Sequence, residues 1–195
     1  DFAEAGSLAF GGTTALWFLR KAGLKAGERL LVVGASGAVG SAAVQIGKAL
    51  GAVVTGVASG GNLEIVRGLG ADAVIDYTTT DFAASGAQYD LILDTTATAP
   101  YKRVKSILAP NGRLLAVLGG LGEMLFGNFG TSDGHKVITG TPPDDPALYR
   151  EVVALGAAGQ FRPLIDSRYT LDQIVAAHAR VDTGRKRGSV VVELP

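Results

Sequence analysis

The sequence predicts an α/β domain built as a doubly wound parallel sheet with helices on both faces. Three observations carry that prediction. Short apolar runs alternate with helix-period stretches through most of the chain, the rhythm of strand–helix–strand units. One such run opens directly into a glycine-rich turn, Gly34-Ala35-Ser36-Gly37-Ala38-Val39-Gly40. Of the 195 residues 47% are hydrophobic and 18% charged, which suits a single core large enough to cover both faces of a sheet. Right-handed crossovers then lead to the strand order 3-2-1-4-5-6.

Each element follows from local pattern. Phe2 to Leu19 reads as a helix in spite of Gly11-Gly12. Arg29 to Gly34 is the apolar run of a buried parallel strand. Ala38 to Leu50 sets Val39, Ala43, Ile46 and Leu50 at helical spacing, and Gly51 stops it. Val53 to Val57 is the expected second strand, Asn62 to Leu69 a helix closed by Gly70, Ala73 to Ile75 the third strand and Tyr89 to Asp94 the fourth. A short helix over Tyr101 to Leu108 and a turn at Pro110-Asn111-Gly112 precede a fifth strand, Arg113 to Leu118. Gly119 to Gly134 is dense in glycine with little periodicity, the pattern of a mobile surface loop. Lys136 to Thr139 is the sixth strand. Asp144-Asp145-Pro146 opens a helix, with acids and proline in their favoured places and Leu148, Val152 and Leu155 as its apolar stripe. A last helix, Leu171 to Val181, precedes a strand-forming tail from Ser189 to Leu194. We expect one domain over residues 1–195, its core over about 1–165 and a C-terminal helix and strand over 166–195.

Composition narrows the function. Eighteen Lys plus Arg balance eighteen Asp plus Glu, so no nucleic-acid partner and no anionic membrane surface is expected. The apolar stretches, such as Leu30 to Gly34, fall far short of the ~20 residues a membrane span needs. The absence of cysteine removes disulfides, thiolate metal sites and cysteine nucleophiles. The chain opens at Asp1, without Met or a charged leader ahead of an apolar run; we expect a piece of a longer protein, with a cytoplasmic location.

The glycine turn is the sharpest motif. It stands where a strand ends and a helix begins, the context that lets such a turn cradle phosphate. Gly37 lets backbone approach a pyrophosphate, Gly40 lets helix and strand pack closely, and the free N–H groups of the helix face the anion. Ala35 stands where the usual G-x-G-x-x-G pattern has its first glycine. A glycine-rich turn in a non-binding domain is the competing reading.

Six segments in order widen this reading. They are Gly12-Thr13-Thr14-Ala15, the run Gly34 to Gly40, Leu69 to Tyr77, Tyr89 to Thr95, Arg162 to Asp166, and Lys186 to Val191. Together they make the chain, from about Ala3 to Leu194, resemble the cofactor-binding half of the medium-chain dehydrogenase/reductase family. The branch it resembles is that of the zinc-independent quinone oxidoreductases. That resemblance implies a Rossmann fold, an NAD(P)-dependent oxidoreductase and a small quinone, enone or carbonyl substrate. It implies that the family's GroES-like catalytic domain lies outside these residues, although the tail strand normally belongs to it. By position, Ser36, Gly37, Ala38 and Val39 line the pyrophosphate. Thr13 or Thr14, Thr95 at the end of the fourth strand, and Leu118-Gly119 at the end of the fifth lie on the nicotinamide side. The segment Lys136 to Gly140 resembles the edge strand through which members pair into homodimers. No residue is identified as a general acid or base. A dinucleotide-binding module without turnover, or a truncated chain, is the alternative function.

NADP(H) is expected ahead of NAD(H). An NAD site places an acid about 20 residues past the glycine turn to hold the ribose hydroxyl. Here the second strand runs into Ser59-Gly60-Gly61-Asn62, and the first acid is Glu64. Ser59 offers a hydroxyl and Asn62 an amide donor, while Tyr77 stands where NADP-using members carry a tyrosine contact. Against this, Gly61 occupies a position where close relatives often carry arginine, the strongest fork for a 2′-phosphate.

Other features read as structural. Tyr101 and Lys105 match the Tyr-x-x-x-Lys pair of short-chain dehydrogenases, but at the wrong distance from the glycine turn and without an upstream serine. His135 and His178 are the only histidines; neither has metal-ligand spacing, no zinc is expected, and His178 reads as a packed or half-buried helix residue. Ser7, Ser36 and Ser41 lack a G-x-S-x-G frame. Arg185-Lys186-Arg187 is either a solvated turn or a reach towards cofactor phosphates. A methyltransferase is disfavoured, because no ribose-binding acid ends the second strand.

Overall fold

The computed structural model describes residues 1–119 and 131–194. Its central feature is a six-stranded parallel sheet in the order β3-β2-β1-β4-β5-β6, the doubly wound order the sequence predicts. The strands are β1 Arg29–Val33, β2 Val53–Ala58, β3 Ala73–Asp76, β4 Tyr89–Asp94, β5 Leu108–Ala116 and β6 Lys136–Ile138. The helices are α1 Phe2–Lys21, α2 Ala38–Ala49, α3 Leu63–Gly68, α4 Tyr101–Val104, α5 Pro146–Ala157 and α6 Ile174–Asp182. A separate two-stranded parallel sheet pairs β7 Ile165–Thr170 with β8 Ser189–Glu193.

The alternation of side chains along each strand sorts the core into two layers. Leu30, Val32, Leu91 and Leu93 face α1, α2 and α5, where Leu16, Phe18, Ile46 and Val152 pack against them. Leu31, Ile92 and Leu114 face the other side, with Phe82, Val104 and Ile107. Fully burying such side chains contributes roughly 1.5–3 kcal/mol each, so the middle strands stand as the most secure part of the fold.

The Gly11-Gly12 pair sits in the middle of α1 without breaking it. A Cβ at Gly11 would come 2.5 Å from the carbonyl oxygen of Ala38, and one at Gly12 2.6 Å from Val152. Their cost in helix propensity, ~1 kcal/mol each, is offset by letting α1 lie directly on the start of α2 and on α5.

Four local readings change in three dimensions. Pro110-Asn111-Gly112 lies within β5, not ahead of it. Leu108 already pairs with Tyr89 before the register shifts to Leu91 with Arg113, and Asn111 takes a positive φ of 62° to make the irregularity. The same strand ends at Ala116, short of Leu118. The strand β7 is not evident in the sequence, since Ile165-Asp166-Ser167-Arg168-Tyr169-Thr170 shows no apolar alternation and is held by pairing with β8. His178 and Val175 are exposed on α6, as is Leu171 in the turn ahead of it, because the residue this helix buries is Ala177. Of the glycine-dense stretch, residues 120–130 lie outside the described residues. Its end is tied down: Tyr101 Oη lies 3.1 Å from His135 Nδ1, 3.1 Å from Thr131 Oγ1 and 3.2 Å from Asp133. No helix among the described residues is long and apolar enough to cross a membrane.

Candidate dinucleotide site

A cavity of about 620 Å³ opens at the carboxyl ends of β1, β2 and β4, where ligands bind in open parallel sheets. Its floor is the glycine turn. Gly37 caps α2 with no side chain to satisfy the first N–H groups, and no acid stands in the helix's first turn. The positive end of α2 is therefore left for an anion. A Cβ at Gly40 would stand 2.0 Å from the carbonyl oxygen of Gly34, whereas one at Gly37 would meet nothing nearer than 3.4 Å. Gly40 thus serves packing, and Gly37, which lines the cavity, keeps its volume open to a ligand.

Six of the sequence-predicted residues come together here: Ser36, Gly37, Ser59, Asn62, Tyr77 and Thr95 line the cavity. Ala38 and Val39 form the first turn of α2 beneath it. Thr13 and Thr14 are buried in α1, and their hydroxyls donate to Ala9 O and Phe10 O at 2.6 and 2.8 Å; neither belongs to the lining. Leu118 and Gly119 follow β5 and are not part of it either. Thr95 donates to Val33 O at 2.8 Å. The loop it begins is held by buried Asp94, which accepts from Thr96 N at 2.9 Å and Ala99 N at 2.7 Å.

Asn62 lines the cavity and also makes local contacts. Its amide nitrogen donates to Ser59 Oγ at 3.0 Å and to Ser36 Oγ at 3.3 Å. The residue therefore ties the glycine turn to the end of β2, and its Oδ1 is buried without a partner. A further acid also enters from outside the reach of local spacing. Asp76, at the end of β3, brings its carboxylate beside Gly60, to 2.6 Å from where a Cβ would stand. Thr78, through its hydroxyl and its amide, and the Gly60 amide hold that carboxyl below its ordinary range.

The remaining wall comes from the far end of the chain. Gly184, Arg185, Lys186 and Arg187 line the cavity, and no carboxylate is among the described lining residues. The turn is seated by Gly188 N donating to Ser36 O at 2.8 Å. Beneath it lies Asp166, whose side chain is only 5% exposed. That carboxylate accepts from Arg180 Nε at 2.8 Å and Nη2 at 2.6 Å, from the Arg187 amide at 2.7 Å and from Ser167 Oγ at 2.9 Å. These bonds, led by that of Arg180, hold Asp166 well below the usual carboxylate range. Lys186 is half-buried, which pushes its ammonium down from its usual pKa, with Asp166 opposing; Nζ donates to Gly188 O at 2.7 Å. A desolvated cation beside a helix N-terminus and a bare glycine cradle fits a pyrophosphate. The tri-basic run was visible in the sequence, but only the fold carries it to the glycine turn.

The family model described as zinc-binding dehydrogenase matches residues 69–192. The sequence is 32% identical over 98% of this chain to a 2-methylene-furan-3-one reductase of Solanum lycopersicum, covering 47% of that protein. It is 33% identical, again over 98% of the chain, to a chloroplast envelope quinone oxidoreductase homolog of Arabidopsis thaliana, covering 62% of it. The chain thus spans about half the length of the curated relatives it matches. The solved quinone oxidoreductase of Coxiella burnetii superposes with a TM-score of 0.86 over 97% of this chain and 60% of its own, at 24% identity, which speaks for the fold. With its glycine turn, its strand order and the match over residues 69–192, the chain belongs to the medium-chain dehydrogenase/reductase family, as a quinone oxidoreductase-like cofactor-binding domain.

Proposed function

We propose that these residues form the dinucleotide-binding part, as one domain, of a zinc-independent oxidoreductase. It reduces a quinone, enone or related carbonyl compound with NADP(H) in preference to NAD(H). The observation that carries this reading is the cavity itself: glycine turn and helix N-terminus at its floor, three cations on its far wall, and no carboxylate among the described lining residues. When bound, the dinucleotide supplies the hydride, and the protein contributes orientation and exclusion of water. Ser36, Gly37, Ala38 and Val39 would hold the pyrophosphate; Thr95, with Thr13 or Thr14 and Leu118-Gly119, would lie towards the nicotinamide; Ser59, Asn62 and Tyr77 would lie towards the adenosine ribose. Zinc independence is supported by the absence of cysteine. Homodimerisation through β6 is supported by its place at the sheet edge.

Titration of nucleotide fluorescence at fixed salt should yield tighter binding of NADPH than of NADH. The preference should be modest, because Asp76 stands beside Gly60 and Gly61 offers no side chain. Tighter NADH binding would overturn the assignment. The alternative reading is a binding module without turnover. It is separated by following NADPH oxidation with a quinone. We expect turnover below about 1 per second from these residues alone, since near-attack geometry needs both reactants held and water excluded. Elemental analysis should find no stoichiometric zinc.

A further inference from the structure

Sequence position alone leaves the 2′-phosphate of NADP without its usual arginine, because Gly61 stands there. In the fold an arginine arrives from elsewhere. Arg187 extends its guanidinium to Gly61, with Nη2 3.5 Å from the Gly61 carbonyl oxygen although 126 residues separate the two. Around Gly61 there is room: a Cβ there would meet no heavy atom within 4 Å. Arg187 lines the same cavity as Ser59, Gly61 and Tyr77, and it makes no ion pair among the described residues.

Its backbone is held by a carboxylate, whereas its guanidinium makes only the long bond to Gly61. The Arg187 amide donates to Asp166. Arg180 saturates the same carboxylate and also donates to Arg185 O at 3.3 Å. The Asp166 carboxylate is therefore occupied by Arg180, the Ser167 hydroxyl and a backbone amide, not by the Arg187 guanidinium. A planar fork with free donors at the end of β2 is suited to bidentate pairing with a phosphate dianion. The amide nitrogen of Asn62, another candidate donor, is already engaged by Ser36 and Ser59.

We propose that Arg187 is the specificity-determining residue for the 2′-phosphate, replacing across the fold the arginine that position 61 lacks. The proposal rests on the dinucleotide reading above. Asp166 and Arg180 act as positioning residues, holding the turn from which the guanidinium reaches.

The test uses the whole 195-residue chain and reads binding, not turnover. Arg187→Ala should weaken NADPH at least about tenfold, the scale of a charge-assisted contact, and NADH by less than about threefold. Competition by 2′,5′-ADP should be lost in the same variant while competition by 5′-ADP persists. Gly61→Arg in the Arg187→Ala background should restore NADPH binding. Equal weakening of both nucleotides would place Arg187 at the shared pyrophosphate and overturn the proposal, as would unchanged NADPH binding. Should Arg187→Ala fail to fold, Arg187→Gln is read by the same criteria. A wild-type chain that binds neither nucleotide refutes instead the dinucleotide reading on which the proposal stands.

Discussion

A single methyl group at Gly40 is expected to remove a large share of the stability of the fold. The Cβ of Gly40→Ala would stand 2.0 Å from Gly34 O, 2.8 Å from Gly34 C and 2.9 Å from Ala35 Cα. All three atoms are backbone, so no side chain can swing away. Either α2 lifts off the end of β1 or the turn opens, and both movements expose the layer in which Val44 and Ile46 pack on the sheet. A loss beyond about 4 kcal/mol is the mark of such a backbone collision, against a total stability of about 5–15 kcal/mol for a domain of ordinary size. Urea denaturation followed by circular dichroism measures it. Gly61→Ala is the matched control, since its Cβ meets open space, and its midpoint should stay near that of the wild type. If the two variants share the wild-type midpoint, the close approach of α2 to the turn is wrong.

The second large effect is expected at Asp166. Asp166→Ala removes one nearly buried acceptor from four donors at once: two on Arg180, the Arg187 amide and the Ser167 hydroxyl. Leaving such donors unsatisfied should cost on the order of 2–3 kcal/mol, below the full value of a buried pair because Arg180 is about a third exposed. The loss has a pH signature. The carboxyl is held well below the usual range in the folded chain, so its stabilisation is fully present above the unfolded value of about 4. It is lost as pH falls from there through the lower folded value. Wild type and Asp166→Asn should therefore differ by a constant amount between neutral pH and about pH 5, and converge only below pH 4. Convergence near neutral pH would show that Asp166 is not held by Arg180. The same variant should weaken NADPH more than NADH, because the turn carrying Arg187 loses its anchor.

Much of the fold was legible because the signals are local. Five strands of the large sheet run as short apolar stretches, and α2 ends where Gly51 takes a positive φ of 85°. Asp145 caps α5 by accepting from Ala147 N at 2.8 Å, as the Asp-Asp-Pro sequence predicts. Where strand formation depends on a partner, the local reading failed. Residues 165–170 form a strand only against β8, and the start of β5 is defined by Tyr89 across the sheet from Leu108.

For the site, the sequence by itself determined the glycine turn, its place between strand and helix, and the lack of an acid straight after β2. Those follow from backbone geometry within a few residues, where glycine and helix periodicity leave little choice. Only the tertiary structure decided which charges surround the turn. It brought Asp76 to Gly60 from the next strand, engaged the Asn62 amide between two serines, and carried Arg187 from the far end of the chain to Gly61. The physical reason is that charge acts through space, at distances of a few ångströms, while sequence spacing reports only on neighbours along the chain.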